Sequence, residues 1–532
     1  MKNSVFLLIA FCTLLTADTL LVPSEYPSIQ SAISASQDGD TVLVSPGEYG
    51  GPISFQGKNI VVMSTSGPEN TLIRTFMDFH CVMFTGGEDS TAVLEGFTLR
   101  NQISDGTTSG KQEVVDYGGG LYITNSSPTI RNNIIKDCLA KTGAGVYLEN
   151  SSMFMTDCTV YNNNTWVYGG GLFIGSSDEN DPPCIIDCTI TNNEAQYGGG
   201  FYIWGDTAMV INNNISDNYS DHHGGGIGID GSNVLLCSNY ISENDGGDGG
   251  GIFIGSGIPT LIGNLIVENT AGHGGGIYEA SGSTLHIVNN TIASNIANGL
   301  GGGIASASDT LYIDNSILWG NSGSLGSQIL MAEAHVSIEY CDVEYGEDSV
   351  YNYASSTLYW GLGNIDIDPQ FETGPLGDYH LSYGSPCIDA GNPAWEYNDP
   401  EDPFNPGYAL WPAMGTTRND MGAFGGGGVN YWLTVEEEEF SPTETGLVLK
   451  SFPNPFSSSC TVCYQLDEAS HVVLSVFDLS GRLVEILVDE VVPAGMYSEY
   501  FDGSNLCSGM YLIRLVAGEH ATSRRCIIIR DN

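Results

Sequence analysis

A glycine-rich turn that returns at a nearly fixed interval constrains this chain more than any other feature. It appears as Tyr117-Gly-Gly-Gly-Leu-Tyr-Ile, then as Gly143-Ala-Gly-Val-Tyr-Leu. Glycine triplets follow, starting at Gly169, Gly198, Gly224, Gly249, Gly274 and Gly301. From Gly118 onward the steps are 25, 26, 29, 26, 25, 25 and 27 residues. Self-similarity at such a period marks a solenoid, in which each unit buries its apolar face only against its neighbours. The period is too short for a propeller blade and lacks the apolar spacing of helical repeats. Each unit runs from a Gly turn through a short alternating strand and a polar turn to a second strand, such as Ser127-Pro-Thr-Ile-Arg-Asn-Asn-Ile-Ile. That is one rung of a right-handed parallel β-helix.

The same period aligns residues into columns. An Ile-x-Asn-x-Ile-like pattern places Asn132, Cys158, Cys188, Asn213, Asn239, Asn264, Asn290, Asn315 and Cys341 in one column. A second column holds Asn163, Asn193, Asn218, Asn244, Asn269 and Asn295. Amides stacked at a strand spacing of ~4.8 Å hydrogen-bond along the stack, so these asparagines read as structural ladders. After each glycine turn, Leu121, Val146, Leu172, Phe201, Ile227, Ile252, Ile277 and Ile304 should point inward as an aliphatic core. Their neighbours then point outward, because strand side chains alternate. That outer stripe is Tyr122, Tyr147, Phe173, Tyr202, Phe253 and Tyr278, interrupted by Gly228.

Charge narrows the partners. Sixty-three Asp and Glu against 15 Lys and Arg give a net charge of −48, which argues against nucleic-acid phosphate. It suits a solvated acidic surface, cation binding or basic partners. Residues 1–17, a short charged start followed by the apolar run Val5 to Ala17, read as a signal peptide too short to span a bilayer. No later segment reads as transmembrane. Twelve cysteines besides Cys12 would then meet an oxidising compartment. Cys158 with Cys188 and Cys341 with Cys387 are possible pairs, bridged or merely stacked.

After the signal, Leu20 to Ser36 reads as a strand and a short amphipathic helix that plugs the open end of the solenoid. A plug is needed because a bare sheet edge invites aggregation. Residues 18–101 are this cap and less regular early rungs, and 102–345, which begin with a loop from Ser104 to Val115, hold the regular rungs. The repeats resemble the pectin-lyase-like right-handed β-helix superfamily and polymorphic outer-membrane protein repeats. The series Gly363-Asn-Ile-Asp-Ile-Asp-Pro-Gln-Phe, Ser385-Pro-Cys-Ile-Asp-Ala-Gly and Asp420-Met-Gly-Ala-Phe resembles a choice-of-anchor module, which is expected to cap the end over 346–425. Residues 426–446, with Glu436 to Glu439, read as a linker. From 447 to 532, Phe452-Pro-Asn-Pro-Phe, Val473-Leu-Ser-Val-Phe-Asp-Leu-Ser-Gly-Arg and Gly509-Met-Tyr-Leu-Ile-Arg resemble the Ig-like C-terminal sorting domain of type IX secretion. This resemblance implies outer-membrane secretion machinery as a partner. It also implies a protein secreted from, or attached to the outer surface of, a Gram-negative-type bacterium.

The pectin-lyase-like resemblance makes a polysaccharide lyase or hydrolase one expectation. Such enzymes need a cationic base or an oxyanion stabiliser, yet no Lys or Arg occurs between Lys141 and Arg418. Catalysis is therefore the second reading, with a basic cluster at Lys111, Arg131, Lys136 and Lys141 left on the early rungs. The residues that precede the glycine turns are Tyr117, Thr142, Tyr168, Tyr197, His223, Asp248, His273 and Leu300. In this column His223, Asp248 and His273 would stack on successive rungs as metal ligands, as an acid/base pair, or simply as turn hydrogen-bonders. No cofactor is required. Asp178, Asp181, Asp217, Asp245 and Asp248 offer at most a calcium site without a regular motif. The first reading is a binding or adhesion protein for a polysaccharide or cell-surface ligand. Its sugar-stacking platform would be Tyr122, Tyr147, Phe173, Tyr202, Trp204, Phe253 and Tyr278. A third reading is a structural stalk.

Overall fold

The computed structural model describes residues 17–426, apart from 77, 102–113, 176–181, 206, 281, 308–309, 375–376 and 402–406, and most of 448–528. Nearly all of the expected signal peptide, the loop from Ser104 to Val115 and the linker lie outside the described residues, as do Lys111, Asp178 and Asp181.

Among the described residues, residues 19–360 coil into four parallel sheets. Sheet I takes the strand after each glycine turn, with twelve strands from Ile53–Ser54 to Val350–Tyr353. Sheet II has fourteen, from Thr19–Val22 to Thr357–Trp360, and sheet III twelve, from Gly47–Gly50 to Asp342–Val343. Sheet IV has seven, from Leu139–Thr142 to Ile296–Ala297. Each rung visits sheets I, II and III in that order, and the rungs between Leu139 and Ala297 add sheet IV before the next turn. Register is held without slip in sheet I: Leu121, Val146, Leu172, Phe201, Ile227, Ile252, Ile277 and Ile304 stand opposite one another and are fully buried.

Corners explain the polar residues of the repeat. At the bend from sheet II to III, Asn132, Asp157, Asp187, Asn212, Ser238, Gly263, Asn289 and Asn315 all take positive φ. Gly, Asn and Asp tolerate that conformation best, which is why they recur there. The next residue enters a buried ladder. Asn264 is typical: its Oδ1 accepts the backbone and side-chain N–H groups of Asn239, each at 2.9 Å, while its Nδ2 donates to Leu236 O and Asn290 Oδ1, also at 2.9 Å. Every polar atom of the amide is thereby satisfied away from water. The second ladder runs from Asn163 through Asn193, Asn218, Asn244, Asn269 and Asn295 to Asn321, with an amide-to-amide bond of 3.0 Å at each step.

Two expected ladder members are displaced by one residue. Asn132 and Asn315 sit on the left-handed corner, and the ladder itself continues through Asn133 and Ser316. In Asn132-Asn133 the wrong member of a tandem fits the pattern, and Ser316 carries no amide to be recognised. Cys158 and Cys188 fill ladder positions as thiols, and Asn133 N–H donates to Cys158 Sγ at 3.4 Å. Cys387 does not pair with Cys341: its thiol donates to Asp342 Oδ2 at 3.1 Å, and that of Cys341 donates to Glu339 O at 3.1 Å.

The helix Ile29–Ala35 closes the first end. Ser28 and Ser31 form a reciprocal capping box at its start. Ile29, Ala32 and Ile33 on one face enter the core. Lys58 Nζ donates to the carbonyls of Ile33, Ser34 and Ser36, satisfying the C-terminal groups a helix leaves open. Gln30 locks the helix to the first strand of sheet I by exchanging two hydrogen bonds with Ser54.

The module expected to cap the other end does not do so. After a last rung ending at Ile365, the hairpin Phe371–Gly374/Gly377–Leu381 turns back along the outside of sheet III. There Tyr379, Ala423 and Phe424 pack on Leu265, Val267 and Ala293, while Leu381, Cys387 and Met421 pack on Ile317. Asn289 donates to Asn419 at 2.8 Å, and Asn315 receives Asn392 N–H at 2.7 Å. This segment is a clasp on the flank. Its apolar side chains match the outward, unusually aliphatic residues of sheet III, which would otherwise face water.

In the C-terminal part, Val448–Phe452, Ser459–Leu466 and Gly495–Asp502 form one antiparallel sheet. Leu483–Val492, Ser470–Phe477, Gly509–Ala517 and His520–Ile528 form another. The two share a core that includes Val462, Phe501, Leu474 and Ile513, as a small β-sandwich does. Among the described residues, no helix is long and apolar enough to cross a membrane.

Candidate functional site

Sheets IV and I meet at the glycine turn. Its first glycine has positive φ, and a Cβ on the next one would collide with backbone of the following rung, as at Gly199, 2.5 Å from Gly225 O. The positive φ calls for glycine at the first position, while the second tolerates Ala144 on one rung, and the tight bend folds the end of sheet IV over the outside of sheet I. The residue before the turn therefore covers the outer stripe of the next rung.

This geometry changes what the aromatic stripe offers. Tyr122, Tyr147, Phe173 and Tyr202 stack nearly parallel, with centroids 5.6, 5.1 and 6.3 Å apart, and His80 extends the stack onto Tyr122 at 4.5 Å. Tyr117 lies over Tyr147, and Tyr168 over Tyr202, each at 4.7 Å. Phe253 stacks between His223 at 4.2 Å and Tyr278 at 5.7 Å. Tyr202 leans over Gly228, where a Cβ would come within 2.8 Å of its ring. Tyr147, Phe173, Tyr202 and Phe253 are consequently buried, and Tyr122 and Tyr278 partly so. The expected open platform is instead a self-stacked seam whose ring faces are already used.

Exposed rings lie beside it. Trp204, at the end of its sheet I strand, is 53% exposed, and Trp166 on sheet IV is 52% exposed. Tyr168, two residues from Trp166, brings its ring to 6.0 Å from Trp204. One rung on from Glu194, Tyr219 is also exposed, and its hydroxyl donates to Asp221 at 3.1 Å. Asn164 Nδ2 donates to Glu194 Oε2 at 2.6 Å, and Asp230 stands opposite Trp204. Exposed indoles on strands that also carry carboxylates and an amide form the accessible part of this surface. Trp166 and Tyr219 were not singled out by sequence, because their columns carry no aromatic repeat. A tryptophan on an outward strand position was the available signal.

The pre-glycine column keeps its register, with His223 opposite Asp248 and Asp248 opposite His273. Only the first two side chains approach: His223 Nδ1 is 3.5 Å from Asp248 Oδ2. Burial lowers the pKa of His223, and the Asp248 carboxylate opposes that shift. His273 turns away, its Nδ1 accepting the N–H of Leu300 at 3.1 Å. The three do not converge on one point, and among the described residues no group of three His, Cys, Asp or Glu is placed to hold a metal. On the early rungs Arg131 pairs with Glu95, and Lys141 with Asp116.

Two family models match the chain. One, a right handed beta helix region, matches residues 95–182 and 119–292. The other, a secretion system C-terminal sorting domain, matches residues 450–529. Comparison with curated proteins gives no match. A solved structure, of a PL6 family polysaccharide lyase from Pseudopedobacter saltans, overlaps 69% of this chain and 96% of its own. Its identity is 13% and its TM-score 0.23, and nothing about this chain is drawn from so slight a superposition. The chain is thus a right-handed parallel β-helix joined to a type IX secretion sorting domain, and it is secreted or attached to the cell surface.

Proposed function

We propose that this secreted β-helix is a binding protein whose ligand is a neutral glycan, held on the surface around Trp166, Trp204 and Tyr219. The observation that carries the reading is two half-exposed indoles, Trp204 with Tyr168 against it and Asp230 opposite it, and Trp166 on the strand whose Asn164 bonds Glu194. Sugar rings stack on aromatic faces while their hydroxyls donate to carboxylates. Acidic polysaccharides fit poorly, because no Lys or Arg between residues 141 and 418 offsets their charge. The self-stacked seam packs the end of sheet IV over sheet I, and its Tyr168 reaches the Trp204 ring. His223 and Asp248 make a polar contact within the seam, and neither a catalytic pair nor a calcium site is needed.

The test incubates the secreted protein with neutral and acidic polysaccharides, with and without calcium, and reads retention and chain length together. Retention on neutral glycans without shortening, lost in Trp204→Ala and Trp166→Ala, is the expected result. Shortening of any chain overturns the reading in favour of a polysaccharide-cleaving enzyme, and no retention at all leaves a structural stalk.

A further inference from the structure

The two ends of the solenoid are finished differently, and among the described residues nothing pairs with the second end. Along the core, inward side chains are fully buried as far as Ile329, Met331 and Ile338. On the last rung the inward Val350, Leu358 and Trp360 are only half-buried, though they pack against that core. Tyr353 and Tyr359 beside them are each 58% exposed. No described residue pairs with the outer edge of Thr357–Trp360, the last strand of sheet II. Thr357 N–H and Gly361 N–H point back to Ala334 O and Ile338 O. Alternation then turns the N–H and C=O groups of Leu358 and Trp360 outward, unpaired and beside apolar side chains. Such an edge is a template for another strand.

Charge selects the occupant. Glu347 and Asp348, on the turn that leads into the last rung, are exposed, as are Asp366 and Asp368 on the final turn, where Asp366 accepts Tyr345 N–H. The residues from 142 to 417 supply no cation to balance them. A second copy would bring the same acidic end, and the chain's own run Glu436 to Glu439 carries the same sign. We infer that the open end is an acceptor for an extended, basic strand of a partner protein, which adds to sheet II beside Thr357–Trp360 and covers Leu358 and Trp360.

Hydrogen exchange of the full secreted chain tests this with a short peptide alternating lysine and valine and a control alternating glutamate and valine. The basic peptide should slow exchange of the Leu358 and Trp360 amides by about tenfold or more, and the acidic one should not. The protection should weaken in high salt and vanish in Glu347→Lys with Asp348→Lys, which alters two exposed side chains. Three outcomes overturn the inference: no protection at 350–360, equal protection by both peptides, or protection that follows protein concentration alone, which would mean a second copy.

Discussion

The two ends of the solenoid face the same physical problem and meet it with different means. At the first end a seven-residue helix carries three apolar residues into the core, and Lys58 and Gln30 fasten it to the rungs. At the other, the residues available for a lid run past the edge and bind the flank instead. A capped end is internal structure, where any polar intrusion is costly. An open end is surface, where sequence is free to serve a partner. The difference teaches that termination and attachment are separable tasks in a solenoid.

Charge substitution should break the comparison most visibly. Ile33→Asp places an unpaired carboxylate in the first end and should cost about 3–5 kcal/mol in thermal or denaturant unfolding. Leu358→Asp at the open end should cost less than about 1 kcal/mol. Equal losses would mean that the second end is covered after all. Midway along the stack, Asn264→Ala strips a ladder amide and leaves Asn239 N–H and Leu236 O without their partner. A loss of about 2–4 kcal/mol is expected, with the unfolding signal starting at rungs 239–290 in hydrogen exchange.

The clasp should respond to pH where the capped end does not. Burial raises Asp342 and Asp420 to about 7, and burial together with the Asp420 charge raises Asp399 well above the carboxylate range. A carboxyl whose folded pKa lies above its unfolded value stabilises fully below the unfolded value, and that stability fades as pH rises through the folded one. Protection of the clasp should therefore fall as pH rises from about 4 through about 7, by no more than about 4 kcal/mol each for Asp342 and Asp420. Asp342→Asn should flatten its share of that slope, whereas the Ile29–Ala35 helix should show none. Smaller still, Gly228→Ala should cost about 1 kcal/mol by pushing on Tyr202. Trp204→Ala should change stability by less than about 0.5 kcal/mol while removing glycan retention.

Much of this was legible in the chain. Rungs, core column and corner residues follow from a local period, and local sterics turn that period directly into side-chain direction. The first ladder was legible except where two amides adjoin, at Asn132-Asn133, or where serine replaces asparagine, at Ser316. The aromatic stripe was correctly read as outward. Yet outward is not the same as exposed: the glycine turn brings Tyr117, Tyr168 and His223 over it, and that fold-over belongs to the corner. The column of His223, Asp248 and His273 was in register, but rotamer and backbone partners decided that only two of its side chains meet.

By itself the sequence determined the solenoid, its ladders, its acidic character and its secretion tail, because each depends on short-range pattern or on composition. Tertiary structure alone decided which rings keep an accessible face, that the clasp lies on sheet III, and that no described residue pairs with the last strand of sheet II. These outcomes rest on contacts between residues far apart in the chain, such as Asn289 with Asn419, 130 positions away. A period fixes where a side chain points, but what comes to cover it is set by the competition of distant segments for the same apolar surface.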